Sequence, residues 1–336
     1  MRISGNIFTG SKLLKGSVSI SEDGMAFSDE ISNSGITGTL VPTFVNAHTH
    51  IADFFMDNVP EGGIPEIVGP GGFKAKALER TSDDIIISSM RGAQRIMKAT
   101  GTSAFLDFRE SGVKGIDLLK ASRLGGIKAL ALGRPVNGDR DLPDVLDRSV
   151  GLGLSSISDV AISQMMSAAE LVRKNEKIFA MHFSENKRED ANRLKELKPD
   201  LLVHCLEATD PDLEIIKDIK AHVVITPRSN VFYGKRPDYS RFLKYRIPLM
   251  LGTDNGMINA PDMFQEMHFL FLYQRSIGYF EPEMLLEMST SLPREFLKKF
   301  GISIPERYIL FPNQRLTAYE IIEKGSYMRK KILKIR

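Results

Sequence analysis

At 336 residues, 42% hydrophobic and 26% charged, the chain can bury a sizeable core and has the make-up of a soluble globular protein. A net charge of +3 is too small to argue for a nucleic-acid surface, so no nucleic-acid partner is expected. The single cysteine, Cys205, excludes an internal disulfide and a cysteine-based zinc cluster and fits a reducing cytoplasm. Met1 to Asn6 contain no apolar signal core, and no later run approaches the roughly 20 apolar residues of a membrane span. The expectation is a cytoplasmic enzyme acting on a small molecule, with no membrane partner and with a homo-oligomer left open.

Residues 1 to 38 read as short strands at Ile3 to Phe8 and Gly16 to Ile20, with Glu22-Asp23-Gly24 as a hairpin turn into Met25 to Phe27. The chain's other end has the same character, with strands at Tyr308 to Phe311 and Tyr319 to Ile322 and a basic tail, Arg329-Lys330-Lys331, read as a solvated end. Neither end can fold alone. Together they suggest a small composite β-sandwich domain of residues 1–38 and 307–336, since an exposed sheet needs a partner.

Between them strand and helix alternate over 39–306. Candidate strands are Leu40 to Ala47, Ser103 to Phe108, Lys128 to Gly133, Gly151 to Ile157, Ile178 to Phe183, Leu201 to His204, His222 to Thr226 and Pro248 to Gly252. Segments such as Asp83 to Thr100, Asp159 to Lys174, Asp210 to Ile219 and Pro261 to Arg275 carry helical apolar spacing, several opened by Asp as a cap. Eight strands with crossover helices are the arithmetic of a (β/α)8 TIM-like barrel, which places its active site at the C-terminal strand ends. A doubly wound open sheet competes, but it would want a glycine-rich phosphate loop where Asn46-Ala47-His48-Thr49-His50 stands.

Side chains alternate along a strand, so His48 and His50 project to one face and can meet one cation. His182 ends strand five, His204 ends strand six, and Asp254 follows strand eight. Only His222 and His268 fall elsewhere, and four histidines at strand ends are hard to explain as satisfied core residues. Three imidazoles and a carboxylate, His48, His50, His182 and Asp254, suit one divalent ion, Zn(II) first and Fe(II) second, with a position left for water. Glu185, three residues beyond His182, is placed to move protons. His204 sits opposite, placed to bond the hydroxide or a developing oxyanion. No lysine ends strand four, which argues against a carbamate-bridged metal pair.

On these residues the chain resembles the amidohydrolase superfamily, in the branch of adenosylhomocysteine, guanine and cytosine deaminases and triazine chlorohydrolases. Gly38 to His50 is similar to the branch's strand into "PG-x-VN-x-H-x-H", Met181 to Glu185 to "H-x-x-E", and Pro227-Arg228-Ser229-Asn230 to "P-x-SN". Leu251-Gly252-Thr253-Asp254, followed by Asp262 to Met267, resembles "LGTD" followed by "DMF-x-EM". The resemblance implies one metal on His48, His50, His182 and Asp254, catalytic help from Glu185 and His204, and a proton-handling role for Asp254. Thr43 and Asn255 depart from the branch's glycines, and the first loop, Ile51 to Lys74, lacks a recognisable substrate signature.

The expected activity is hydrolytic deamination of a nucleobase-like or related amino-heterocycle. The alternatives are hydrolysis of a cyclic amide or imidazolone-type ring on the same scaffold, or a non-catalytic metal- or ligand-binding relative. Arg109, Arg134 and Arg228 each follow a strand and are expected at the rim, where they would either bind an anionic substrate group or pair with carboxylates such as Asp107, Glu110 or Asp139.

Overall fold

The computed structural model describes residues 1–21, 24–31 and 35–334. The expected turn at Glu22-Asp23-Gly24 lies outside the described residues at its first two positions. Strands β1 (Arg2–Phe8), β2 (Leu13–Ser21), β3 (Gly24–Ser28) and β4 (Ile36–Pro42) open the chain. The central series is β5 (Phe44–His50), β6 (Thr102–Arg109), β7 (Lys128–Gly133), β8 (Gly151–Leu154), β9 (Ile178–Phe183), β10 (Leu201–His204), β11 (His222–Ile225), β12 (Leu249–Leu251) and β13 (Asp254–Asn255). Strands β14 (Arg307–Pro312) and β15 (Lys331–Lys334) close it.

The central strands lie in the order β12-β11-β10-β9-β8-β7-β6-β5-β13, and every neighbouring pair is parallel. Only Gly252 and Thr253 separate β12, which pairs with β11, from β13, which pairs with β5. The two are therefore one interrupted eighth strand, and the sheet curls round to meet itself. The Thr253 amide donates to the His48 carbonyl at 3.1 Å across this seam. Asn46 stitches it further, its Nδ2 donating to Thr253 Oγ1 at 2.7 Å and its Oδ1 accepting from the Thr253 amide at 3.1 Å. A Cβ on Gly252 would stand 2.7 Å from the His48 Cβ and 2.9 Å from its backbone nitrogen and oxygen, so the seam needs glycine there.

Strands β5 and β6 are buried at every position, as strands covered on both faces should be. The helix Asp83–Ala99 shows why the flanking segments lie down on them. Its buried Ile86, Met90, Ala93 and Met97 recur at spacings of three and four, which makes one apolar stripe facing the sheet. Asp83 and Asp210 turn out to lie in the first turns of their helices, where they complement the dipole, while Asp262 is a true cap, accepting from the Phe264 amide at 2.9 Å.

The terminal strands form one six-stranded sheet, ordered β15-β14-β4-β1-β2-β3, so both chain ends do combine. Three local expectations are corrected. The run Leu40 to Ala47 is divided at Thr43, with β4 in the terminal sheet and β5 in the barrel; Thr43 Oγ1 donates to Ser103 Oγ at 2.8 Å at this junction. Tyr319 to Ile322 is helical, within Ala318–Lys324, because Thr317 and Glu320 form a capping box and Ala318, Ile321 and Ile322 fall on one helical face. The basic tail is an edge strand, with Lys331 to Lys334 antiparallel to β14, and its lysines blunt an otherwise open edge. Among the described residues no helix is long and apolar enough to cross a membrane.

Candidate active site

Strand β5 ends on His50, β9 carries His182 next to its end, β10 ends on His204, and Asp254 begins β13, so the barrel brings these residues to one rim. The rings of His48 and His50 are 4.8 Å apart, His48 and His182 5.1 Å, and His182 and His204 5.5 Å. Phe108, 4.3 Å from the His48 ring, supplies apolar packing beside them. Asp254 Oδ1 lies 3.2 Å from His48 Nε2 and 3.7 Å from His50 Nε2, while its Oδ2 accepts from Ser229 Oγ at 2.5 Å.

Three compact groups here can hold a metal ion: His48, His50 and Asp254; His48, His182 and His204; and Glu185, His204 and Asp254. They overlap at His48, His204 and Asp254. His182 and His204 differ in which nitrogen has a free lone pair. His182 Nδ1 lies 2.9 Å from the Leu154 carbonyl, which can only accept, so Nδ1 carries the proton and Nε2 is a free ligand. His204 is the reverse. Asn230 Nδ2 lies 3.0 Å from His204 Nδ1 and can only donate, with Thr226 Oγ1 at 3.2 Å, so the proton sits on Nε2. That Nε2 faces Glu185 Oε1 at 3.4 Å.

The electrostatics suit a cation. Burial lowers the pKa of His48 and His182 below the ordinary histidine range, and burial with the Lys74 charge takes His50 to about 3, so all three are neutral imidazoles near pH 7. Burial works to raise Asp254, but its hydrogen bond with His48 holds it well below the usual carboxylate range. Burial raises Glu185, against the pull of His204.

These groups border a cavity of about 320 Å³ lined by His50, His182, His204, Asp254, Glu185 and Arg134, among others. Part of its wall comes from the first loop, through Ile64, Pro65, Val68 and Pro70. Glu185 stands on a loop held by Glu189, whose Oε2 accepts from the Ser184 amide at 2.8 Å and whose Oε1 accepts from the Ser158 amide and hydroxyl, both at 2.7 Å.

The three arginines part company. Arg134 lines the cavity: its Nε donates to the Gly153 carbonyl at 3.3 Å, and the described residues give its terminal nitrogens no hydrogen-bond partner. Arg109 and Arg228 do not line it. Arg109 is buried and turned onto Asp107, 2.8 Å away, and Glu110, while Arg228 Nε donates to Glu266 at 2.5 Å and its Nη2 to the Ala260 carbonyl at 2.8 Å. For these two the internal pairing expected as the alternative is what the fold adopts, since a guanidinium this buried needs a carboxylate.

Sequence reasoning missed Asn230, Glu189, Lys74 and Glu110. Asn230 lay in a recognised motif without an assigned task. Lys74 gave no signal, and Glu110 was expected only as a partner for a rim arginine; the two, 36 residues apart, meet because β5 and β6 are neighbouring strands. Lys74 Nζ lies 2.6 Å from Glu110 Oε1, which is also 2.8 Å from His50 Nδ1. Lys74, His50 and Arg109 outweigh burial and hold the Glu110 carboxyl well below its usual range.

Residues 39–301 match the sequence profile of the amidohydrolase family. An uncharacterized protein of Methanocaldococcus jannaschii is 32% identical over 324 residues, covering 87% of this chain and 83% of its own. A 5-methylthioadenosine/S-adenosylhomocysteine deaminase of Caldicellulosiruptor saccharolyticus is 25% identical over 283 residues, covering 73% and 63%. Among solved structures, Helicobacter pylori aminofutalosine deaminase in complex with methylthio-coformycin superposes with a TM-score of 0.77 at 16% identity, over 98% of this chain and 97% of that one. The zinc complex of an Arthrobacter aurescens atrazine chlorohydrolase superposes at 0.75 with 15% identity, over 96% and 90%. At such identities these two establish the fold.

Proposed function

The chain belongs to the amidohydrolase family, hydrolases of carbon–nitrogen bonds, and from that footing we propose that it removes ammonia from an amino-substituted nitrogen heterocycle. The cation is assigned to Nε2 of His48, His50 and His182 with Asp254. His204, whose Nε2 carries a proton, is left as a donor. The fit rests on the donor set itself: neutral imidazoles and an ionised carboxylate, with His48 and His50 facing the same Asp254 oxygen and His182, its Nε2 free, grouped with His48. A bound divalent ion, Zn(II) first and Fe(II) second, would supply the Lewis acidity that brings the pKa of a water toward about 7.

The chain's own groups then move protons. Water adds to the ring carbon bearing the amine, and its proton passes to Asp254, which Ser229 orients from behind. Glu185, kept protonatable by burial, gives its proton to the ring nitrogen that takes up the C=N electrons, then carries the hydroxyl proton to the departing amine, and recovers its own proton from Asp254. His204 Nε2–H donates to the oxygen that becomes the carbonyl, and ammonia leaves. Arg134, with donors open to the cavity, takes an acceptor on the substrate's substituent and so orients the ring.

The observation that carries this reading is the Glu185–His204 pair at 3.4 Å, a proton carrier and a fixed donor beside a metal-type cluster, which a pure binding protein would not need. The names of the relatives favour the adenine ring of a thio-substituted nucleoside as the first substrate class to try. The test is ammonia release by zinc-loaded protein across amino-substituted purines, pyrimidines and pterins, run beside ring opening of cyclic amides. Release from at least one amino-heterocycle is expected, reduced by about 10²- to 10⁴-fold in Glu185→Gln. Ring opening without ammonia release from any of them would replace this reading with the cyclic-amide one.

A further inference from the structure

The cavity wall formed by the first loop, with its helices Ile64–Ile67 and Phe73–Arg80, packs Leu78 on the barrel core and carries one buried cation. Lys74 is 6% exposed, and its Nζ reaches Glu110 Oε1 at 2.6 Å and Asp53 Oδ2 at 3.7 Å. A buried ammonium is costly away from a carboxylate, so these contacts fix where the wall sits. Glu110, directly after β6, is the junction. Its Oε2 takes Arg109, and its Oε1 is shared between Lys74 and His50 Nδ1, the latter at 2.8 Å though the ring N–H is not aligned on it.

A carboxylate bracketed by two cations accepts, so it favours the proton on His50 Nδ1 and leaves the Nε2 lone pair facing Asp254. We propose that Glu110 is a positioning residue with two tasks, setting the tautomer and direction of His50 for the metal and anchoring Lys74, so that metal occupancy and docking of the 64–74 wall are coupled. The inference rests on His50 as a ligand, and no particular substrate enters it. Linkage makes the coupling reciprocal: if zinc steadies the wall, the docked wall must tighten zinc by the same factor.

The experiment measures zinc affinity by chelator competition and amide exchange over residues 64–74, with and without zinc, in wild type, Glu110→Gln and Lys74→Met. In wild type, zinc is expected to slow exchange in that segment several-fold. Glu110→Gln should weaken zinc by about 10- to 100-fold and abolish the zinc-dependent slowing. Lys74→Met should also abolish the slowing, with a smaller loss of zinc affinity because His50 keeps its carboxylate. Wild-type zinc affinity in Glu110→Gln, or exchange over 64–74 that ignores zinc in the wild type, overturns the proposal. If Glu110→Gln fails to fold, Lys74→Met decides: zinc-dependent slowing retained there also overturns it. Failure to find a deaminated substrate would leave these readouts unchanged, so the two readings fail separately.

Discussion

Asn230→Asp tests the site's proton arrangement with almost no change of shape. In the native chain Asn230 Nδ2 lies 3.0 Å from His204 Nδ1, and its Oδ1 accepts from the buried Tyr239 hydroxyl at 2.8 Å. The aspartate keeps the second bond and inverts the first: an oxygen now faces Nδ1 and draws a proton there, in the way a carboxylate favours the charged or Nδ1–H form of imidazole. His204 either moves its proton away from Nε2 and loses its donor to Glu185, 3.4 Å away, or gains a second one and becomes a cation that draws the proton off Glu185. Misplaced tautomers of a catalytic imidazole cost about 10⁴-fold in turnover in the best-studied triad, and general acid–base groups contribute about 10²- to 10⁴-fold, so kcat should fall by about 10²-fold or more. Zinc content should stay near one per chain, because His204 is outside the proposed ligand set. Asn230→Ala should fall less in kcat but more in stability, since it strands the Tyr239 hydroxyl at a cost of about 1–3 kcal/mol. The assays are ammonia release with the substrate found by the screen, zinc analysis and urea denaturation. Wild-type kcat in Asn230→Asp would refute the assigned His204 tautomer.

Arg134→Ala should raise KM far more for a substrate bearing an anionic or strongly accepting substituent than for its truncated analogue; equal effects would make Arg134 scaffold only. Gly252→Ala should destabilise by about 1–3 kcal/mol and lower zinc content, because the new methyl forces apart the strands that carry His48 and Asp254; an unchanged denaturation midpoint would contradict the tight seam. Asp212, paired with Arg188 at 2.8 Å and accepting from Thr209, has its carboxyl held at about 2 in the folded chain against an ordinary 3.8. The folded state therefore binds fewer protons between those values. The resulting stability, about 1–2 kcal/mol after allowing for the half-exposed Arg188, is complete above pH 4 and lost as pH falls through 2. Asp212→Asn should be less stable by that amount at pH 7, and the gap should close on acidification; a gap independent of pH would remove the ion pair from the account.

The barrel was legible because its strands announce themselves as short β-branched runs, several with boundaries matching the fold, as at Lys128–Gly133 and Ile178–Phe183. The eighth strand was harder to read. Its break at Gly252 and Thr253 is set by the approach to β5, a contact between residues some 200 positions apart that no local pattern carries. The rim histidines were found by their position at strand ends, a property that topology converts directly into proximity. The arginines were found by the same rule and yet divided, because position at a rim does not say which carboxylate lies nearer than the cavity. Arg228 has Glu266 beside it in a helix packed against its own, and Arg109 has Asp107 two residues away on the same strand face. Among the described residues Arg134 has no such neighbour. The sheet at the termini was recognisable from both ends, but Tyr319 to Ile322 read as strand because four residues do not distinguish a helical stripe from an apolar run; the Thr317–Glu320 capping box decided it.

The same strand ends carry four of the eleven non-glycine residues that have left-handed φ among the described residues. Ser184, His204, Cys205 and Asp254 all have left-handed φ, at 46°, 71°, 55° and 61°, and none is glycine. Each costs of the order of 1 kcal/mol or more. The geometry gives the reason. A strand that continued in extended form past β9 or β10 would carry the next side chain away from the barrel axis, whereas a left-handed residue turns the chain over the rim at once. The turned segments are then locked by contacts that a straight strand could not make. Cys205 donates its amide to the Phe183 carbonyl at 2.9 Å, Glu207 to the Ser184 carbonyl at 2.8 Å, and Glu189 holds the Ser184 amide. Loops five and six thus brace each other, and the residues they brace are Glu185 and His204, the proposed proton carrier and its fixed donor. Stability is given up at three of these positions, Ser184, His204 and Cys205, so that these two side chains face each other before any substrate arrives, and it is offset by the hydrogen bonds of the loop pair.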